Sequence, residues 1–364
     1  MKNLLKSMVS MVSMVSMVSM VSMVSIVSMV SIVSMVSVSC DNRQADGTVH
    51  KRHRRAMLTP ASSGTPYEVM VVMDDDLWNG TTGDVVKDVL QKDIPMLPQP
   101  EATFNLSHVN FDHYDRITNL FRNIIVIRQS DLFTKPRIKL ERNVYADPQI
   151  IMTVEGPDID ELTRYIYDSG EMIRQRICAE EINRYATDLE FNHNVKFNKK
   201  CQEMFGCDLY IPQDLMKMKV GKDFIWASND GLSTVQNICI YSYPYFSERV
   251  FNKGVYIALR DTFMRRNIPG GYEGQYMQTN PECVMQKDIN ILGNYAQETR
   301  GLWEMKGDDM GGPFVAHSMV DTINGRIITV EAFVYAPSKM KRSIIRRLEA
   351  ALYTLRLPKE KKND

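Results

Sequence analysis

Three consecutive carboxylates, Asp74, Asp75 and Asp76, form the longest acidic run in the sequence. Carboxylate oxygens are preferred ligands of Ca²⁺ and Mg²⁺, so this run could bind a divalent cation. Consecutive side chains of an extended chain point to alternate sides, however, so at most two of the three can converge on one ion. We therefore favour a solvated turn at the end of a strand, and we expect no metal or other cofactor.

His108 and His113, with Asp112 between them, suggest a metal site or an acid–base site. Two histidines that share a metal commonly lie four residues apart on a helix or on one face of a strand. Their separation of five residues fits neither arrangement. We therefore do not expect these histidines to share a metal ion.

Two further segments partly resemble ligand-binding motifs. The segment from Pro269 to Gly274 lacks the Gly-Lys-Ser/Thr ending of a phosphate-binding loop and follows a predicted helix, which favours a tight turn. Four aromatic residues could stack on sugars or bases, but such alternation more often marks one buried face of a sheet. These four are Tyr241, Tyr243, Tyr245 and Phe246.

The sequence contains six cysteines, namely Cys40, Cys178, Cys201, Cys207, Cys239 and Cys283. No pair has the CxxC spacing, and no Cys–His pair indicates a zinc site or a thiol enzyme. Cys201 and Cys207 could form a disulfide if a turn brings their Cα atoms within about 4.4–6.8 Å. Two independent buried thiols are equally compatible with the spacing. Without Cys40 the number is odd, so at least one thiol is free.

The body that must position these residues starts near Pro66 and combines apolar alternation, turn signals and amphipathic stretches. Strands are predicted at 67–73, 104–111, 123–128, 137–142, 149–154, 223–228, 234–243, 314–321 and 326–335, with others from Glu282 onward. Helices are predicted at 82–91, capped by Thr81 or Thr82, around 114–121, and at 248–266 and 338–355. The pattern predicts an α+β fold in which mixed or antiparallel sheets pack with helices.

A long helical region is predicted from Asp158, its N-cap, to about Phe191. Its apolar stripe consists of Leu162, Ile166, Ile173, Ile177 and Ile182. Asn324 and Gly325 form the strongest hairpin signal in the chain. Each half of the body, 66–358, offers strands, a helix, more strands and a helix. Two related lobes, 66–200 and 201–358, are therefore one interpretation, although no internal repeat is visible.

Residues 1–39 have a different composition from the body. From Ser7 to Ser39 the chain repeats Met-Val-Ser or Ile-Val-Ser, without any charge. Three residues advance about 300° on a helix, so the serines wind around it and no polar face results. An N-terminal apolar helix is predicted, either a signal peptide or a membrane anchor, with Lys2 and Lys6 as its positive flank. As a helix the repeat would span about 50 Å, more than the ~30 Å hydrocarbon core, and slippage of a repeated coding unit would explain the excess.

The charge balance excludes one class of partner. The chain has 44 basic and 44 acidic residues, and the part after residue 39 has 42 and 44. A nucleic-acid-binding domain would carry a basic stripe or a marked positive excess. We therefore expect no nucleic-acid partner.

Cys40 follows the apolar run directly and precedes the polar residues 41–44. Small residues before a cysteine at such a junction resemble a bacterial lipoprotein signal, although Ser37 stands where a branched residue or leucine is usual. The resemblance implies that Cys40 is the lipid-attachment site, carries palmitate-type acyl chains and becomes the mature N-terminus. Two or more acyl chains anchor a protein stably. Residues 40–65, with a basic cluster at 51–55, are predicted to be a flexible tether, and 359–364 a polar tail.

Four segments of the body carry a resemblance to one known family: Pro66 to Asp75, Asn267 to Gly274, Arg300 to Glu304 and Met310 to Val315. They are similar to domain-of-unknown-function family 4837, an uncharacterised lipoprotein family of Gram-negative bacteria, and the similarity runs from about Pro66 to Leu355. The resemblance implies an envelope lipoprotein, and it lends no activity and no catalytic residue.

These patterns together predict a membrane-anchored cell-envelope lipoprotein that acts by binding or assembly, in the outer membrane rather than the inner. Its partners would be the membrane, through lipidated Cys40 or the apolar helix, and an envelope protein. One alternative is an envelope hydrolase that uses Asp74 to Asp76 or Glu273. A second alternative is a single-span inner-membrane protein in which the repeat remains as the anchor.

Overall fold

A computed structural model of the protein describes residues 59–358. The predicted signal or anchor segment 1–39, Cys40 and the polar tail 359–364 lie outside the described residues, as does the predicted tether up to residue 58. No helix within 59–358 combines the length and the apolar character that a membrane span needs.

The described residues form seven α-helices and twelve β-strands in two sheets, which confirms the predicted α+β class. The helices are α1 (Asp75–Trp78), α2 (Thr81–Leu90), α3 (Ile159–Asp168), α4 (Gly170–Phe191), α5 (Val195–Phe205), α6 (Lys253–Asn267) and α7 (Arg342–Leu352). The strands are β1 (Glu68–Val72), β2 (Asn105–Val109), β3 (Asn123–Gln129), β4 (Arg137–Arg142), β5 (Ile150–Gly156), β6 (Lys217–Gly221), β7 (Phe224–Ser228), β8 (Val235–Pro244), β9 (Tyr276–Ile291), β10 (Asn294–Lys306), β11 (Gly311–Asp321) and β12 (Arg326–Tyr335).

The first sheet has the strand order β2-β1-β3-β5-β4, with only β4 antiparallel to its neighbour. Its central strands are rich in valine and isoleucine because both faces are covered, as is usual for parallel strands. Helices α2, α3 and α4 cover one face, where Val89, Leu162 and Ile173 are buried. Partly buried Tyr114 and Phe121 pack on the other face.

The second sheet is antiparallel, in the order β6-β7-β8-β12-β11-β10-β9. Helices α5 and α7 pack on one face and α6 on the other. The predicted hairpin at Asn324 and Gly325 joins β11 to β12, and Gly325 has the positive φ of 61° that such a turn requires. The two sheets differ in strand number and direction, and the interpretation of two related lobes stays a prediction.

The predicted helical region from Asp158 to Phe191 is two helices, α3 and α4, separated at Ser169. Asp158 caps α3 as predicted, by accepting hydrogen bonds from the backbone N–H groups of Asp160 and Glu161. A Cβ at Gly170 would lie 2.7 Å from Val89 Cγ2, so the break occurs where α4 passes very close to α2. All five residues of the predicted stripe are buried.

The predicted helix around 114–121 is wrong. Two short 3₁₀ turns, Phe111–His113 and Thr118–Leu120, take its place. The Asp115 carboxylate accepts hydrogen bonds from the backbone N–H groups of Ile117 (2.8 Å) and Thr118 (3.1 Å), which competes with helix formation. The predicted threonine cap of α2 is also wrong, because Gly80 is the N-cap.

Candidate functional site: an arginine-lined cavity

A cavity of about 620 Å³ lies between the start of β1, helix α4 and helix α7. Ligand pockets commonly measure roughly 300–1,000 Å³, so the cavity could hold a small organic molecule. Helix α4 is well placed to form its wall because it packs on the first sheet through Ile177 and on the core of the second through Leu189. The cavity therefore lies where the two sheets and their helices meet.

Five arginines and two acidic residues are among the residues that line the cavity, namely Arg122, Arg184, Arg342, Arg346, Arg347, Glu181 and Asp188. Arg122 directly precedes β3, Arg184 lies on α4, and the other three arginines lie on α7. No single segment of the sequence therefore shows the cluster. Such an excess of guanidinium groups favours anions, since arginine presents a planar fork of donors that matches carboxylates and phosphates.

Glu181 is the buried acid that offsets two of these arginines. Its carboxylate accepts hydrogen bonds from Arg122 Nε at 2.9 Å, Arg122 Nη2 at 2.8 Å and Arg184 Nη1 at 2.7 Å, and a fourth from Asn123 Nδ2 at 2.7 Å. One carboxylate therefore serves two guanidinium groups. Burial lowers the pKa of Arg184, with a further lowering contribution from the positive charge of Arg122.

Two further arginines differ in how they are paired. Arg347 Nη1 donates to Asp214 at 3.0 Å and its Nε donates to the Tyr185 hydroxyl at 2.7 Å, so its charge is compensated. The Arg342 guanidinium donates to the Ala102 carbonyl at 2.8 Å and to Asn105 Oδ1 at 3.0 Å, both uncharged acceptors. Neither acceptor carries a charge, and burial lowers the pKa of Arg342 although the Glu101 carboxylate opposes this lowering.

Arg346 is the most buried arginine of the lining, with 9% of the residue exposed. Its Nη1 donates to Glu349 at 3.3 Å, whereas the buried Nε has no hydrogen-bond partner within residues 59–358. An unpaired buried N–H of a charged group is costly, so the Nε of this guanidinium is unused donor capacity in a residue that lines the cavity. Arg346 also lines a second cleft, which has a volume of about 480 Å³.

Tyr67 forms a wall of the cavity at the start of β1. Its φ of 61° is in the left-handed region, which is uncommon for an aromatic residue and marks local strain. The Arg346 guanidinium lies 5.4 Å from the centre of its ring, within cation–π range. Burial raises the pKa of the Tyr67 hydroxyl far above its ordinary value.

A buried chain of alternating charges continues behind Arg346. Arg300 donates to both Glu349 and Glu298, the second contact measuring 2.6 Å, and His317 Nε2 lies 3.6 Å from Glu298 Oε2. Burial opposes ionisation of the two glutamates, but Arg300 outweighs it and holds their pKa values below the ordinary range. Glu349 therefore connects Arg346, which lines the cavity, to this buried chain of charges.

The predicted acidic run is placed at the start of α1, and the three aspartates are exposed. Asp75 Oδ2 accepts a 2.7 Å hydrogen bond from Asn110, and Asp75 Oδ1 lies 3.9 Å from His108 Nδ1. His108 also stacks on Trp78 with ring centres 4.6 Å apart. The sequence did not indicate this contact between α1 and β2, which depends on the parallel pairing of β1 with β2.

His113 is held separately from His108, with its Nδ1 2.6 Å from Asn110 Oδ1. Among the described residues, no group of three or more His, Cys, Asp or Glu side chains is arranged to hold a metal ion.

Cys201 and Cys207 are both buried free thiols, as Cys239 is. Burial raises the pKa of Cys207 to about 12 and that of Cys201 well above its ordinary value, so neither thiol is a reactive nucleophile. The five cysteines within residues 59–358 are all free, Cys178 and Cys283 being the other two.

The two segments that resemble ligand-binding motifs have structural roles. Tyr241 and Tyr243 are buried under α6, whereas Tyr245 and Phe246 are exposed beyond the end of the buried face. The segment from Pro269 to Gly274 is a turn closed by the hydrogen bond from Gly270 N–H to the Gln275 carbonyl, at 3.0 Å, and Glu273 is exposed. Neither segment borders the cavity.

Sequence reasoning missed the arginine cluster. One available signal was the spacing of Arg342 and Arg346, four residues apart in the basic helix now seen as α7, which places them on one face. Arg122 and Arg184 gave no comparable signal because they reach the cavity from β3 and α4 only through tertiary packing.

Two family models match the sequence. The model described as "Domain of unknown function (DUF4837)" matches residues 194–354, which confirms the resemblance to that family over this region. A second, "Domain of unknown function (DUF8532)", matches residues 62–190, so Pro66 to Asp75 falls within this second match. Of the arginines that line the cavity, Arg122 and Arg184 lie within the DUF8532 match, and Arg342 and Arg346 lie within the DUF4837 match.

A crystal structure from Bacteroides thetaiotaomicron VPI-5482, at 1.50 Å resolution, is similar to part of the chain, with 14% identity and a TM-score of 0.19. The match covers 43% of this chain and 46% of that chain, so this chain spans less than half of the length of the solved protein. No curated protein matches the sequence.

Proposed function

We propose that the protein is a cell-envelope lipoprotein, anchored through acyl chains on Cys40, that acts by binding an anionic ligand in the arginine-lined cavity. The anchoring rests on the apolar run that ends at Cys40 and on the polar tether that follows it. Binding of an anion is the activity that the cavity favours, because five arginines of its lining offer cationic donors.

The observation that carries the binding proposal is the state of Arg346. Its side chain is buried beside the cavity, and its Nε has no partner in the described part of the chain. A carboxylate or phosphate that approaches the Nε–Nη2 edge would make two parallel charge-assisted hydrogen bonds. The cost of the unpaired N–H would then be recovered on binding.

Thermal unfolding in phosphate buffer tests this proposal. In the full-length protein, replacing chloride by inorganic phosphate at constant ionic strength should raise Tm, since a ligand at ten times its Kd stabilises by about 1.4 kcal/mol. In Arg346→Met the rise should be lost. A Tm that does not respond to phosphate, or that rises equally in the variant, would contradict anion binding at this cavity.

A further inference from the structure

We infer that the natural ligand is an amphiphilic anion, in which one phosphate or carboxylate group is attached to an apolar chain. The inference rests on the proposed function and narrows its ligand class. It follows from the size of the cavity and from its lining, which combines arginines with uncharged residues.

The anionic group of the ligand would contact three arginines of the lining. Arg184 shares Glu181 with Arg122, Arg342 contacts uncharged acceptors, and Arg346 has its Nε edge free. The N-terminus of α7 does not add to this site, since the Glu101 carboxylate already accepts hydrogen bonds from the backbone N–H groups of Lys341 (2.6 Å) and Arg342 (2.7 Å). The anion would therefore be held by side chains.

The cavity is much larger than an inorganic anion. Four oxygens occupy about the space of four water molecules, or roughly 120 Å³, against a cavity of about 620 Å³. Pro66, Pro148, Ala350 and the strained, buried Tyr67 line the cavity besides the charged residues. These groups offer no charge, so they suit an alkyl chain, each buried methylene of which would tighten binding about fourfold.

The position of the cavity gives it access to such ligands. Thr65 and Pro66, the last residue of the predicted tether and the first of the body, both line it. Pro60 and Ser63 form backbone hydrogen bonds with the body, so about 20 residues separate Cys40 from it and can extend at most about 70 Å. A body anchored at Cys40 would stay close to a membrane. A membrane supplies amphiphilic anions at a high effective concentration.

Isothermal titration of the full-length protein in nanodiscs of zwitterionic lipid, corrected with empty nanodiscs, distinguishes the ligand classes. Hexyl phosphate or hexanoate should bind at least tenfold more tightly than inorganic phosphate, and 1-hexanol should give no saturable binding. Equal affinity for hexyl phosphate, hexanoate and inorganic phosphate would overturn the amphiphile and leave the proposed anion-binding function standing. Hexanol binding as tight as that of hexyl phosphate, or no binding by any probe, would overturn both.

Variants locate the anionic group. Arg346→Met should weaken hexyl phosphate binding at least tenfold, equivalent to about 1.4 kcal/mol, and Arg342→Gln provides a second test if the first variant does not fold. Arg116→Met removes the same charge from an exposed arginine outside the cavity and should bind as the wild type does. Wild-type affinity in both cavity variants would overturn the inference.

Discussion

Glu181 is the residue on which the arrangement of the cavity's wall most depends. It lies on α4 with 3% of its surface exposed and accepts four hydrogen bonds, from Arg122, Arg184 and Asn123. Removing one partner of a buried ionic cluster leaves uncompensated charge, which is usually more costly than the pair itself was worth.

We expect Glu181→Ala to lower the free energy of unfolding by about 3–5 kcal/mol, because two guanidinium groups lose their shared carboxylate. Glu190→Ala is the matched control on the same helix. Glu190 is exposed and pairs with Arg356 at the surface, so about 1 kcal/mol or less should be lost. Urea unfolding of both variants measures the difference, and equal losses would show that Glu181 does not organise the wall.

The acidic members of the buried chain behind Arg346 make stability depend on pH. Arg300 holds the pKa of Glu298 and of Glu349 below their value in the unfolded chain, which is about 4.3. A lowered folded-state pKa means that the stabilisation is fully present above the unfolded value and is lost as pH falls towards the folded one.

Urea unfolding between pH 5 and pH 3 should therefore show a falling free energy of unfolding, with a smaller slope in Glu298→Gln. Glu273→Gln, at an exposed turn, is the control and should keep the slope of the wild type. A slope that is unchanged in Glu298→Gln would mean that this buried glutamate does not carry the pH dependence.

At the scale of elements, the break between α3 and α4 determines where α4 lies relative to α2. Gly170 is required there because a Cβ would lie 2.7 Å from Val89 Cγ2, whereas a Cβ at Gly254 on α6 would have no heavy atom within 4 Å. Gly170→Ala should cost about 1–3 kcal/mol through overpacking. Gly254→Ala should be neutral or stabilising by up to about 1 kcal/mol, since alanine is the better helix former. Thermal or urea unfolding compares the two, and a neutral Gly170→Ala would refute the close approach.

Elements defined by local pattern were predictable, and those defined by tertiary contacts were not. The strands β4 and β12 were predicted with their observed bounds because apolar alternation and turn residues mark them in the sequence. The helix break at Gly170 was missed because the apolar stripe continues across it from Ile166 to Ile173. Helix α5 and strand β6 were not predicted, and β6 is an exposed edge strand without a buried face to reveal it.

The site was less predictable than the fold for a related reason. Only tertiary packing brings Arg122, Arg184 and Arg346 to one cavity, because they lie just before β3, on α4 and on α7. Conversely, Asp74 to Asp76 form a conspicuous run in the sequence, yet in the structure they are an exposed helix start. A local run of charged side chains in the sequence therefore did not predict the candidate site. The buried charged residues that line the cavity could be identified only from the fold.

For the whole molecule, we propose that an N-terminus anchored at Cys40 is joined to a body that binds an anion in the cavity lined by Thr65 and Pro66. Five of the 42 basic residues after residue 39 line this one cavity, although the charge of that part of the chain is near neutral. The proposed anchoring at Cys40 would keep that cavity close to a membrane.

Intact-mass analysis of the protein extracted from membranes tests this anchoring most directly. We predict a species that begins at Cys40 and carries the added mass of two or three acyl chains. A species that retains Met1 and the repeat, or one that starts at Cys40 without acyl mass, would contradict the account.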